Sequence, residues 1–200
     1  MFIRTPRLLL RPPWPEDAAP LAACLADGSI ARRAVAIPYP YSLDDARAFI
    51  AWCEDEGAPR PVFAILAREA QGEHGPDVAV DAAGLPFAGA IGLTRDEATG
   101  AWELGYWIAR PFEGRGYATE AAAHVLELAF LGLRLKRVTA SHFLDNPASA
   151  RVLAKLGFLE AGRTRRWCPA RNCDVDCRNV ALTREVWLAH RAGQVEMHAA

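Results

Sequence analysis

The sequence predicts a mixed α/β domain, and three observations carry that reading. Trp102-Glu103-Leu104-Gly105-Tyr106-Trp107-Ile108 is rich in aromatic and apolar residues and reads as a strand. Ala118 to Leu131 is rich in Ala and Leu, with apolar residues spaced for one buried helix face, and a turn carrying Gly114 and Gly116 separates the two. Phe87 to Thr94 also has strand character. Only the short turn Asp96–Gly100 separates it from the Glu103 strand, which argues for an antiparallel pair.

The remaining elements follow in chain order. Ile3 to Arg11, with Leu8-Leu9-Leu10, reads as a first strand that Pro12 and Pro13 end. Glu16 and Asp17 open a helix through Leu25, where acidic residues suit the positive end of the dipole. Ile30 to Tyr41 is a loop, held extended at Pro38 and Pro40 because each proline pushes its predecessor out of helical geometry. Ser42 caps the next helix, with Asp45 in the third position of a capping box and Phe49, Ile50 and Trp52 on the buried side. Val62–Leu66 is a strand, and Ala70–Leu85 a polar hairpin excursion. Leu135 to His142 gives a short strand. Asn146 caps a helix with Pro147 at its first position, and Gly157 stops that helix. Strands from Phe158 and over Val175–Thr183 precede a terminal helix over Arg184–Ala192.

The 200 residues fit one domain spanning 1–200, with enough interior for a sizeable core. A hydrophobic content of 52% with 24% charged residues is a soluble globular balance. A net charge of −1 supplies no basic surplus to offset a phosphate backbone, which argues against nucleic acid as the primary partner. No apolar run is long enough to span a bilayer, and Met1–Arg7 lacks the pattern of a signal peptide. A cytoplasmic location and reduced thiols are therefore expected. Cys168, Cys173 and Cys177 cluster, but with no Cys-x-x-Cys pair and no histidine nearby they are expected to be free thiols, not metal ligands.

The chemistry concentrates at Pro111-Phe112-Glu113-Gly114-Arg115-Gly116-Tyr117-Ala118-Thr119-Glu120. A helix's first turn has backbone N–H groups without internal partners, and its dipole favours an anion there. Gly114 and Gly116 remove side chains that would hold a phosphate away, so Glu113 to Thr119 reads as a pyrophosphate cradle. The turn lacks the Gly-Lys-Ser/Thr ending of a nucleoside triphosphate loop and has too few glycines for a dinucleotide fingerprint. An ordinary tight turn is the alternative.

The order of these residues resembles the acyl-CoA loop of the GNAT superfamily of N-acetyltransferases, written Gln/Arg-x-x-Gly-x-Gly/Ala. Gly116 and Ala118 match, and Glu113 departs from the Gln/Arg position. A second stretch, Asn146-x-x-Ser149-x-x-Val152-Leu153-x-Lys155-Leu156-Gly157-Phe158, resembles the later acyl-CoA-binding region of the same superfamily. Pro38-Tyr39-Pro40-Tyr41 ahead of Ser42 resembles the acceptor loop of the branch that includes the ribosomal-protein N-terminal alanine and serine acetyltransferases.

The resemblance covers Ile3 to about Thr183. It implies a mixed, mostly antiparallel sheet of six or seven strands with a central splay and helices on both faces. It implies acetyl-CoA as co-substrate, no metal, and direct transfer to a primary amine in a ternary complex, the acceptor being a protein N-terminus or a small molecule. A monomer or homodimer is the implied assembly. Glu103 takes the position of the general base, with a pKa raised by desolvation among Trp102, Tyr106 and Trp107. An ion pair or a solvated face is the alternative for that carboxylate. Trp107 and Ile108 supply backbone donors, Asn146 contacts pantetheine or only caps its helix, and Ser149 is the acid candidate in place of the usual tyrosine, with bulk water as the alternative. Tyr39 and Tyr41 are acceptor-side candidates, with a packed loop covering the sheet as the alternative, and His142 is expected to be an exposed loop residue, with a place facing the site as its alternative. The alternatives are a non-catalytic acyl-CoA sensor or a transferase for another acyl-CoA such as succinyl-CoA. A cation near the thioester would point to the latter, and Arg32, Arg33, Arg165 and Arg166 are the candidates.

Overall fold

The computed structural model describes residues 1–55, 60–68, 78–97 and 99–199. Its centre is one eight-stranded sheet in the order β1-β2-β3-β4-β5-β6-β8-β7. The strands are β1 (Ile3–Arg4), β2 (Leu8–Arg11), β3 (Val62–Ala67), β4 (Phe87–Arg95), β5 (Trp102–Ile108), β6 (Arg137–Phe143), β7 (Leu159–Cys168) and β8 (Cys173–Thr183). All neighbours are antiparallel except β5 and β6. The eighth strand arises because the run expected as one strand folds back on itself. Thr5 Oγ1 accepts a bond from Leu8 N at 2.8 Å, Pro6 has no N–H to offer a ladder, and Ile3 then pairs with Leu10.

Five helices cover the two faces: α1 (Ala18–Leu25), α2 (Leu43–Glu54), α3 (Tyr117–Glu127), α4 (Pro147–Lys155) and α5 (Arg184–Ala199). Strand alternation divides the core. Ala64, Leu66 and Phe87 pack with Leu21, Leu25 and Ile50 from α1 and α2. Phe63, Ile65, Ile91 and Leu93 pack with Val125 and Leu126 of α3, Leu153 of α4 and Trp187 of α5. The β3 strand is buried on both faces, so it reads as a continuous apolar run without alternation. The α2 capping box forms as the sequence predicts, with Asp45 N donating to Ser42 Oγ at 3.1 Å and Ser42 N donating to Asp45 Oδ2 at 2.8 Å. The helix expected through Leu131 widens into a π turn over Leu128–Gly132.

A buried polar knot ties β2 to α1 and to the segment before β4. Arg11 bonds Asp17 through both terminal nitrogens at 2.6 and 2.8 Å and reaches Asp81 at 3.1 Å. Asp17 also accepts from Trp14 N, and Asp81 from Ala83 N and Leu85 N, so both carboxylates are well satisfied. Residues 70–77 of the expected polar excursion lie outside the described residues. Among the described residues no helix is long and apolar enough to cross a membrane.

The feature that positions the site is the junction of β5 and β6. These parallel strands pair only at Glu103 and Thr139, where Thr139 Oγ1 donates to Trp102 O at 3.0 Å. Beyond that point β5 keeps its full ladder with β4 but has no strand partner on its other edge among the described residues.

Candidate active site

The splay opens into a cavity of ≈ 1070 Å³ reached by β5, the α3 N-terminus, α4, α2 and the 30–41 loop. Gly116 is the N-cap of α3 in the left-handed region, with φ 83° and ψ 4°. Gly114 is left-handed as well, at φ 76°, with open space where a side chain would project. Side chains are strained in that conformation, which is the local reason for both glycines. The turn therefore leaves the N–H groups of Tyr117, Ala118 and Thr119 at the cavity, where an anion fits the unpartnered first helical turn. The Tyr117 side chain is buried and stacks on Phe112, so only its backbone is available to a ligand. Glu113 offers its carboxylate to Arg33 at 2.6 Å, linking the cradle to the 30–41 loop.

A clamp behind the cradle was not visible in the sequence. Arg7 Nη1 donates to Arg115 O at 2.8 Å, fixing the peptide between the two glycines. Arg7 is held in turn by Glu120, through Nε to Oε2 at 2.6 Å and its backbone N to Oε1 at 3.0 Å, and Thr5 Oγ1 donates to the same carboxylate. Burial pushes the Glu120 carboxyl upward, but the bonds from Thr5 and Arg7 outweigh it, so its pKa lies below the ordinary value.

Strand parity corrects one of the expected backbone donors. Ala109 N donates to Ala88 O at 2.8 Å, and a Cβ placed on Gly89 would collide with Trp107 O. In an antiparallel ladder these groups alternate, so the N–H and C=O of Trp107 are spent on β4 while those of Tyr106 and Ile108 face the splay. Of the two expected donors, the Ile108 N–H therefore faces the splay and the Trp107 N–H does not, while the Tyr106 N–H faces it as well.

Glu103 lines the cavity but not in the aromatic surroundings expected of it. Trp102 and Tyr106 pack into the α3-side core on the opposite face. The carboxylate instead accepts from Ser141 Oγ at 2.8 Å and Arg166 Nη1 at 2.7 Å, and Arg166 Nη1 also donates to Ser141 Oγ at 2.7 Å. Arg166 arrives from β7, two strands beyond β6.

Across the splay, Ser149 Oγ lies 2.9 Å from Tyr106 Oη. Burial pushes the Tyr106 phenol up to about 12, partly offset by the bond to Ser149. Asn146 reaches the cavity wall while its Oδ1 accepts from Ser149 N at 3.1 Å, so the capping role is realised in the structure. His142 is buried, not exposed; its Nδ1 donates to Phe143 O at 2.9 Å. Tyr41 lines the cavity, and burial raises its phenol to about 12. Tyr39 does not line it. Its ring lies over left-handed Gly28, with Arg32 5.7 Å from the ring centre, because the absence of a side chain at Gly28 leaves room for it there. Among the described residues no group of three or more His, Cys, Asp or Glu is placed to hold a metal ion, and Cys168, Cys173 and Cys177 are free thiols.

The family profile described as an acetyltransferase (GNAT) domain matches residues 7–159. The chain belongs to the GNAT family. Among curated relatives of this GNAT protein, YoaA of Bacillus subtilis, an N-acetyltransferase by name, is 29% identical over 167 residues, covering 83% of this chain and 87% of YoaA. YdaF of the same organism, provisionally named a ribosomal N-acetyltransferase, is 35% identical over 85 residues, which is 42% of this chain and 46% of YdaF. Among solved structures, Mycobacterium smegmatis RimJ, crystallised with CoA-disulfide, superposes with a TM-score of 0.68 at 22% identity, over 89% of this chain and 82% of RimJ. The GNAT fold places the cradle, the splayed strand edge and Glu103 around one space.

Proposed function

We propose that the chain is an acetyl-CoA-dependent N-acetyltransferase that passes the acetyl group directly to a primary amine while both substrates are bound. One observation carries this reading: a left-handed glycine cradle, the unpaired edge of β5 and the Glu103 carboxylate all open into the same cavity. The CoA-disulfide held by RimJ on the same fold supports the donor assignment. The donor's pyrophosphate lies against the α3 N-terminus, held by backbone N–H groups with the Arg7 clamp keeping the loop in place. Its pantetheine arm lies along the open edge of β5, bonded to groups of Tyr106 and Ile108.

The amine nitrogen attacks the thioester carbon as Glu103 takes its proton, directly or through one water. The N–C bond forms, the C–S bond breaks, and the thiolate takes a proton from Ser149, which the Tyr106 hydroxyl replenishes at 2.9 Å. A phenol whose pKa is raised by burial stays protonated at neutral pH and so holds a proton for this step. Holding both substrates in one cavity supplies much of the acceleration by proximity.

The test is thiol release from acetyl-CoA with a panel of amines and N-terminal peptides. Release that depends on an amine supports the assignment. Tight acetyl-CoA binding with no release across the panel would make the chain a binding module instead.

A further inference from the structure

The ion pair at the mouth of the site identifies the acceptor more closely, on the transferase reading above. Arg166 commits one nitrogen. Its Nη1 serves both Glu103 and Ser141 at 2.7 Å, while Nε and Nη2 have no partner among the described residues. The two side chains remain 37% and 32% exposed, facing the cavity. The other carboxylates on the cavity wall are engaged, Asp45 with Ser42 and Glu113 with Arg33. The same cavity has apolar lining residues, among them Ile37, Tyr41, Phe49, Trp52 and Val62.

A simple amine competes with Arg166 for Glu103 and leaves the guanidinium next to a like charge with no counterion. A peptide N-terminus offers a neutral amide at that point. An α-amino acid brings an ammonium and a carboxylate separated by a single carbon. The ammonium meets Glu103, the carboxylate meets the free Nε and Nη2 edge in the two-pronged manner that guanidinium groups favour, and one ion pair becomes two. We propose that Arg166 is the carboxylate-binding residue of the acceptor site, and that the acceptor is an α-amino acid with an apolar side chain lying against Phe49 and Trp52.

The same guanidinium chemistry would also suit a carboxylate on the acyl donor, so the experiment has an arm for each source. With acetyl-CoA as donor, thiol release is measured for leucine, phenylalanine and tryptophan, for their carboxamides, and for peptides beginning with the same residues. The free acids are expected to exceed the carboxamides in kcat/KM by at least ~10-fold, mostly through KM, as expected when a site built to bond a substrate group meets an analogue that lacks it. Arg166→Gln should collapse that ratio toward one, and Arg166→Lys should restore part of it. Carboxamides or peptides used as well as the acids overturn the proposal, as does an Arg166→Gln ratio equal to that of the wild type. A wild-type preference for succinyl-CoA over acetyl-CoA that Arg166→Gln abolishes assigns the carboxylate to the donor and also overturns it. Calorimetric acetyl-CoA binding separates the two levels of failure. Binding and turnover confined to peptides sink only this proposal, whereas absence of binding sinks the transferase reading itself.

Discussion

Arg11 and Arg166 both sit on carboxylates, but their surroundings give them different work. Arg11 is 2% exposed between Asp17 and Asp81, which are 1% and 3% exposed, and its ion pairs join one segment of the fold to another. Arg166 stands at the cavity with Glu103, about a third exposed, and keeps two nitrogens unpartnered among the described residues. A saturated, dry ion pair holds position and has nothing left to exchange. A half-wet pair with spare donors can trade one partner for another at small cost. Identical chemistry is therefore structural in one place and a substrate handle in the other, and burial with saturation decides which.

The sharpest way to break that contrast is at Arg11. Arg11→Leu strands two buried carboxylates, and urea denaturation should show a loss of about 3–5 kcal/mol. At the working carboxylate, Glu103→Gln keeps the size but removes the base. A fall in kcat/KM of ~10²-fold at neutral pH is expected, shrinking as pH rises because the amine then arrives deprotonated. Steady-state kinetics over a pH series checks both parts, and full activity in the variant would remove Glu103 from the mechanism.

Glu120 lies between the two extremes, with a clamp that is structural but adjoins the site. Replacing it with Gln should cost about 1.5–3 kcal/mol, the range for charge-assisted hydrogen bonds. Its folded pKa is depressed, so the stability it contributes is present above the ordinary glutamate value of about 4.5 and is lost as pH falls through the lower folded value. The stability gap between wild type and Glu120→Gln should accordingly close in acid, and a gap constant with pH would contradict the clamp. Gly116→Val places a strained side chain at the cradle and should weaken CoA binding at least ~10-fold, or about 1.4 kcal/mol, by calorimetry. The smallest effect returns to the comparison: Arg166→Gln should change unfolding free energy by less than about 1 kcal/mol, as for other partly exposed pairs.

What could be read from the sequence was local. The Ser42–Asp45 box, the glycines before α3, the Asn146 cap and the antiparallel partner of the Glu103 strand each depend on residues close together in the chain. Glu103 can be singled out in the sequence because the resemblance marks its position on the strand that leads into the glycine turn. Arg166 was one of four arginines with no way to choose among them, since the β6–β8–β7 ladder alone brings it to Glu103. The direction of the Trp107 N–H depends on register with β4, a pairing parity that composition does not encode. Tyr39 and Tyr41 are equivalent as sequence, and only the space at Gly28 sends one ring away from the cavity. The first strand split in two because a Thr5 hydroxyl can close a turn that looks, residue by residue, like extended chain.

The Arg7–Glu120 contact joins residues 113 apart in sequence, and it bears on when the protein becomes competent during its own synthesis. Thr5 and Arg7 are made before Glu120, and the clamp they form with it does not exist until Glu120 has emerged more than a hundred residues later. The nascent N-terminal segment must wait for its partner, and closing so long a loop carries an entropic cost that local helices do not face. The steadied glycine loop is thus among the late acquisitions of folding. A nascent chain can hold α1 and α2 and still lack the clamp that fixes the peptide between Gly114 and Gly116.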